Sequence, residues 1–341
     1  MTDTTTHPYA RLTPDVVLNA LEGLGLRCDG RLLALASYEN RVYQVGLEET
    51  ERMRFVVAKF YRPNRWSDEA IAEEHAFAAM LAAKEIPVVA PLGFAGATLH
   101  RFEGFRFAVY PRAGGRAPEL EDPKTLEWLG RFIARIHMVG STRRFEHRPR
   151  LDIERFGVEP RAFLAASGFI PADLVAPWTQ VADLALEGVR HAYARAGDVR
   201  EIRVHGDCHV GNVLWVDDSS AARPSTTGPH FVDLDDTCMA PAIQDLWMLV
   251  SGDRHSMSLQ LGHILDGYAD FMEFDTRELQ LMEALRTLRL LHYSAWLARR
   301  WDDPAFPIVF PWFNTPRYWQ DRILELREQV AAMQEPAIEP G

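Results

Sequence analysis

The chain has 341 residues, 47% of them hydrophobic and 25% charged, with a formal net charge of −11 at pH 7. That length leaves room for two domains or lobes, the ordinary composition excludes a disordered chain, and the acidic balance excludes a general nucleic-acid binder, which needs a basic surface to displace counterions. Cys28, Cys208 and Cys238 form no C-x-x-C pair, the start lacks the apolar run of a signal peptide, and no stretch offers ~18 consecutive apolar residues, so a cytoplasmic protein with no membrane partner is expected.

The first few residues and the tail EPAIEPG are expected to fray. From about residue 31 to 61, RLLALASYENRVYQVGL reads as two short strands joined at SYEN, and RFVVAKFYRP follows as a third that ends at Pro63. Ser67 is an N-cap candidate with Asp68 and Glu69 in the first turn, and Ile71, Glu74, Ala78 and Leu81 then fall at helical spacing. IPVVAPLGF and FRFAVYPRAGG predict two more strands, the second broken by Pro111, Gly114 and Gly115.

Beyond about residue 116 the pattern turns helical. Asp122 and Pro123 suit an N-cap and first helical position, and Leu126, Leu129, Phe132, Ile133 and Ile136 share one face. Further helices are predicted from 174 to about Gly197, at IQDLWMLVSG, and at LQLMEALRTLRLLHYSAWLARRW. The Ser- and Pro-rich stretch 217–229 suits an exposed loop, and the aromatics of 296–319 suit a helical core better than a recognition surface. A sheet-rich first third before a helical remainder predicts two lobes of an α+β fold.

The stretch RVHGDCHVGNVLW, residues 203–215, concentrates the chemistry. One reading makes His205, Asp207 and His209 a metal site, because period-two spacing on a strand puts them on one face. The other is a catalytic loop, with Asp207 handling an acceptor proton and Asn212, five residues on, holding a metal-bound nucleotide. Phosphoryl transfer needs groups that hold phosphates, a metal that bridges them and a carboxylate that orients the attacking hydroxyl. Lys59 in FVVAKFY, Glu74 in the next helix, Asp207 with Asn212, and Asp233 in FVDLDD occur in the order such sites use. Each alone has a plainer account: a solvated strand lysine, a helix-surface glutamate, an Asp-rich turn. The ordered set favours phosphoryl transfer, because the metal-site reading leaves Asn212 and Asp233 without a role and Gly206 and Gly211 suggest a bent loop.

VHGDCHVGNVLW together with FVDLDD resembles the catalytic core of the aminoglycoside phosphotransferase and choline kinase superfamily, relatives of the eukaryotic protein kinases. With SYENRVYQV, EEHAFA, QDLWMLVSGD and AWLARRWDDPAFPIVFPW, the resemblance narrows to a bacterial branch of serine/threonine protein kinases of the stress response, over about residues 9–337. It implies a two-lobed protein-kinase-like fold: an antiparallel-sheet N-lobe over 1–110, a hinge at 111–116 and a mainly helical C-lobe over 117–341. It implies ATP and Mg2+ as cofactors and a protein serine or threonine as acceptor, with autophosphorylation, in a monomer.

On the same resemblance Asp207 is the catalytic proton acceptor and Asn212 and Asp233 hold the metal, Asp233 being essential to catalysis. Ser37 contacts ATP, Lys59 and Glu74 form the phosphate-holding ion pair with Glu73 as the alternative partner, and VYPRAGG hydrogen-bonds adenine through its backbone. His205 braces the loop, His209 has no direct chemical role, and Cys208 is a packed, inert thiol. No G-x-G-x-x-G precedes Lys59, so phosphate cover falls to backbone N–H groups and Ser37. Nothing like A-P-E follows Asp233, which gives no support to a phosphorylated activation loop. A small-molecule hydroxyl kinase, a catalytically dead nucleotide-binding regulator and a metal-dependent hydrolase stand as the other readings.

Overall fold

The computed structural model describes residues 7–49, 53–216 and 228–341, and the expectations for 1–6 and for most of the 217–229 loop fall outside these. The chain divides into two compact units: Met1–Pro118 with Phe145–Arg148 and Val210–Asp236, and Glu119–Arg144 with Pro149–His209 and Thr237–Gly341. Two stretches from the helical part of the sequence therefore group with the sheet.

The first unit is built on a five-stranded antiparallel sheet in the order β1 (Cys28–Ala34), β2 (Arg41–Leu47), β3 (Phe55–Phe60), β5 (Phe105–Pro111) and β4 (His100–Phe102). Strand alternation sorts its two faces. Val56, Ala58 and Phe60 of β3 and Phe105, Phe107 and Val109 of β5 join Val16, Val17, Ala20 and Leu21 in one buried cluster. Those four belong to α1 (Pro14–Glu22), a helix absent from the sequence reading, which Thr13 caps and Pro14 starts. The opposite register positions, Lys59 and its β5 partner Ala108, face the other way, where Ala108 packs with Tyr61 and with Ile71 of α2 (Asp68–Ala83). The Ser67 hydroxyl accepts from the Ala70 N–H at 3.1 Å, which fixes the start of α2.

The strand expected over IPVVAPLGF does not form. It runs as an irregular segment with single bridges at Val88, to Phe231, and at Phe94, to Ala97. Pro87 and Pro91 remove two of the N–H groups that a ladder needs. A hairpin of β7 (Val213–Val216) and β8 (Gly228–Phe231) completes the unit.

The second unit is helical apart from β6 (Ile202–Val204), which pairs antiparallel with β9 (Cys238–Ala240). Helices α3 (Pro123–Gly140) and α7 (Arg254–Ala269) approach closely because a side chain at Gly130 or Gly267 would collide with the carbonyl oxygen of Ile264 or Glu127. Asp122 caps α3 through its carboxylate, as its sequence position predicts. The helices α4 (Glu159–Ala166), α5 (Ala172–Ala196), α8 (Met282–Arg299) and α10 (Pro316–Ala332) pack together, with Trp178 and Trp319 in edge-to-face contact. Phe306, on the short α9 (Ala305–Val309), and Phe313 are fully buried, so most of the 296–319 aromatics are core, although Ile308 and Trp312 are exposed.

Two expectations are corrected here. The helix predicted over 243–252 is a single turn, α6 (Ile243–Leu246), that tightens into a 3-10 turn and reaches extended geometry at Val250. The tail does not fray: Ile338 is buried, the Gly341 N–H donates to the Ser258 carbonyl, and the Ser258 hydroxyl donates to the Glu339 carbonyl.

Candidate active site

In the first unit the charged groups converge on Lys59. Its ammonium is buried on β3, 3.0 Å from Asp233 Oδ1, 3.0 Å from Asp235 Oδ1 and 3.6 Å from Glu74 Oε1. Burial alone would lower its pKa, but the three carboxylates outweigh burial and hold it well above the ordinary lysine value. Burial pushes the Glu74 carboxyl up to about 7 against the pull of Lys59. Glu73 faces elsewhere and accepts the backbone N–H groups of Glu146, His147 and Arg148 at 2.7–2.9 Å. Of the two adjacent glutamates, Glu74 is the one at Lys59.

The β7–β8 hairpin brings the next two candidates together. Val213 pairs with Phe231, and the Val232 N–H donates to the Asn212 carbonyl at 3.0 Å, so Asn212 and Asp233 flank one end of the ladder. Asp233 has a φ of +59°, a left-handed conformation that aspartate tolerates better than most residues. Its side chain is about half exposed while one oxygen rests on Lys59. The backbone thus sets Asn212 and Asp233 at the same end of the hairpin.

Asp235 is a member that sequence reasoning treated as part of a turn. It is buried, and Arg65, Lys59 and the Asn40 amide all meet its carboxylate. Burial would raise its pKa, yet Arg65, Lys59 and Arg148 together hold it well below the usual carboxylate range. Arg65 also reaches Asp236 at 2.5 Å, and Arg148 donates to the Asp235 carbonyl. Asn40 ends the SYEN turn and accepts the Arg62 N–H at 3.0 Å, which ties the β1–β2 connection to this cluster. Ser37, in the same connection, is half-buried with no hydrogen-bond partner among the described residues. The 111–116 segment starts at the end of β5, and Arg116 exchanges backbone hydrogen bonds with Trp215 of β7 at 3.0 and 2.7 Å.

In the second unit Asp207 follows β6. The Asp245 carboxylate accepts the backbone N–H groups of His205 at 2.7 Å and Gly206 at 2.8 Å, and contacts His137 Nε2 at 3.0 Å. Gln244 donates to the Gly206 carbonyl at 2.8 Å, and Gly206 itself needs a φ of +87°. The loop is therefore anchored by its backbone rather than by the Asp207 side chain. His205 is fully buried. Burial also drives the Cys208 thiol well above its ordinary pKa, so it carries little thiolate.

Asp207 itself is ion-paired. Arg289 Nη1 of α8 lies 2.6 Å from Oδ1, and His209 Nε2 lies 3.5 Å from Oδ2. Burial would raise the Asp207 pKa, but His209 and Arg289 draw it well below the usual range. His209, expected from sequence to have no direct chemical role, lies beside this carboxylate. Among the described residues no cluster of three or more His, Cys, Asp or Glu is arranged to hold a metal. The His205–Asp207–His209 metal site thus finds no support, since His205 is turned into the core.

Lys59 beside Glu74, Asn212 and Asp233 at one end of a hairpin, and Asp207 on a backbone-anchored loop are the residue types a phosphotransferase would need, and the chain's family follows from its relatives. The model of the phosphotransferase enzyme family matches residues 31–282, and the chain belongs to that family. It is 44% identical to stress response kinase A of Escherichia coli O157:H7 over 331 residues, 97% of this chain and 96% of that protein. It is 42% identical over the same shares to the serine/threonine protein kinase RdoA of Salmonella typhimurium strain LT2. Among solved structures, the amicoumacin kinase hAmiN, in complex with AMP-PNP, Ca2+ and Ami, superposes with a TM-score of 0.70 at 18% identity, covering 96% of this chain and 95% of its own. A microcompartment-associated aminopropanol kinase gives 0.65 at 20% identity over 93% and 96%. The fold is the α+β fold of this kinase family, and the protein is a phosphotransferase. No helix among the described residues is long and apolar enough to cross a membrane.

Proposed function

We propose that this phosphotransferase transfers the γ-phosphoryl group of ATP, with Mg2+, to the hydroxyl of a protein serine or threonine, itself included. The observation that carries the reading is the hairpin that seats Asn212 beside Asp233 with the Lys59 ammonium on the Asp233 carboxylate. An amide oxygen and a carboxylate are hard oxygen donors of the kind Mg2+ takes alongside phosphate oxygens. Asn212 and Asp233 therefore fit as the residues that hold the metal, which when bound offsets the negative charge of the phosphates.

Lys59 holds phosphate oxygens, and Glu74 anchors it from α2. Ser37 contacts the nucleotide from the β1–β2 connection, and the 111–116 segment serves as the hinge between an N-lobe over 1–110 and a C-lobe over 117–341, offering backbone groups to adenine. Asp207 orients the acceptor hydroxyl and takes its proton as the phosphoryl group transfers. With its basicity lowered by Arg289 and His209, Asp207 acts more by orientation than by early deprotonation, which suits a loose transition state. The cytoplasm, as a monomer, is the expected setting.

The relatives above 40% identity are named as kinases, one of them a serine/threonine protein kinase, and this supports a protein acceptor. A second reading, a small-molecule hydroxyl kinase, is favoured by the names of the solved neighbours, an amicoumacin kinase and an aminopropanol kinase. Incubation with γ-labelled ATP and Mg2+, alone, with a generic protein and with hydroxylated metabolites, separates the two. Label on protein that disappears in Asp207→Ala supports the first. Label confined to a metabolite transfers the enzyme to the second.

A further inference from the structure

Arg289 contributes to the Asp207 carboxylate through one nitrogen only. Nη1 makes the 2.6 Å contact, the side chain is 42% exposed, and no other described residue accepts from its Nε or Nη2. A guanidinium carries five N–H donors in a planar fork matched to carboxylate and phosphate oxygens. Most of that fork meets no acceptor among the described residues, at the residue proposed to orient the acceptor hydroxyl.

An aspartate needs no arginine to be ionised at neutral pH, because its ordinary pKa is about 3.9. What Arg289 changes is the charge that an incoming acceptor meets. Asp207 alone would repel an acceptor with an acidic group beside its hydroxyl, while the Asp207–Arg289 pair is neutral and offers open donors to that group.

We propose that Arg289 is a specificity and positioning residue of the acceptor side: it holds Asp207 through Nη1 and takes, on its remaining donors, an acidic side chain next to the acceptor hydroxyl. The inference rests on the assignment of Asp207 given above, and it names the acceptor class of that site, acidic-flanked serine or threonine segments.

The test uses the full-length protein and three serine peptides that differ only in the flanking residues, Glu, Gln or Lys, with wild type, Arg289→Met and Arg289→Lys. Wild type is expected to favour the Glu peptide. Arg289→Met should raise KM for that peptide about tenfold or more, the loss of one charge-assisted hydrogen bond, and raise KM for the Gln peptide much less. Arg289→Lys, which keeps the charge and loses the fork, should recover part of the preference. The acidic limb of the pH–rate profile should move to higher pH in Arg289→Met, because Asp207 then keeps only His209, 3.5 Å from its other oxygen, to hold its pKa down, a change that loss of packing would not cause. A preference that survives in Arg289→Met, or an equal loss on all three peptides, overturns the inference. Wild type that labels itself yet distinguishes none of the peptides overturns it alone. Wild type that transfers label to nothing overturns the kinase reading beneath it as well.

Discussion

Lys59 lies nearer to Asp233, at 3.0 Å, than to Glu74, at 3.6 Å. The ammonium is therefore shared between the helix carboxylate that anchors it and the carboxylate proposed to hold the metal. An Asp233 engaged by a cation would leave Lys59 to Glu74, Asp235 and a phosphate. Buried charge of this kind persists when it is paired, and the buried Lys59, Glu74, Asp235 and Arg148 meet one another, Arg65 and the half-exposed Asp233 and Asp236 around one strand position.

Asp233→Asn keeps the shape of the side chain and removes its charge. Turnover should fall, and nucleotide affinity should require a higher Mg2+ concentration than in wild type. Titration of nucleotide binding at a series of Mg2+ concentrations checks this, and an unchanged Mg2+ requirement would remove Asp233 from the metal-holding role.

Asp207→Asn is expected to lower kcat by about 10²–10⁴-fold, the usual worth of a general base, with nucleotide affinity retained. The loop should stay in place because Asp245 and Gln244 hold its backbone rather than its side chain. Steady-state rates beside a thermal melt separate lost chemistry from lost fold.

Asp235→Ala leaves Arg65 and Lys59 without a buried counter-charge and should cost about 3–5 kcal/mol in denaturant unfolding, as for other broken buried pairs. Its folded pKa is depressed, so the stability it contributes is present above the unfolded value of about 3.9 and is lost as pH falls through the folded one. Wild type should lose stability in acid below about pH 4, and the variant should show a shallower loss.

Glu278 has the opposite sign. It is buried, accepts the Ile243 N–H at 2.9 Å, and its pKa is pushed up to about 7 by burial. With a folded pKa above the unfolded value of about 4.3, its contribution is full below that value and is lost as pH rises toward 7. Glu278→Gln should flatten the fall in stability between those limits, and chemical denaturation at a series of pH values reads it directly.

The sequence by itself determined what depends on near neighbours. The Ser67 and Asp122 caps, the alternation that puts Lys59 opposite the apolar face of β3, the helical spacing of Glu74 and the five-residue step from Asp207 to Asn212 are all local, and the order of the motifs was enough to indicate the family. It overstated regularity where prolines withdraw donors, at 86–94, and missed α1, whose T-P-D start is a legible cap. It left open which of Glu73 and Glu74 meets Lys59, because adjacent helix positions differ by about 100° in direction and only the packing of α2 decides between them.

Tertiary structure alone decided the rest. Asn40 and Asp235 meet across 195 positions, Arg289 and Asp207 across 82, and Asp245 and His205 across 40. Periodicity reports which face of an element is apolar and says nothing about which distant element will cover it. A polar side chain reads as solvated in sequence until the fold buries it, and the cost of that burial then requires the partners found here.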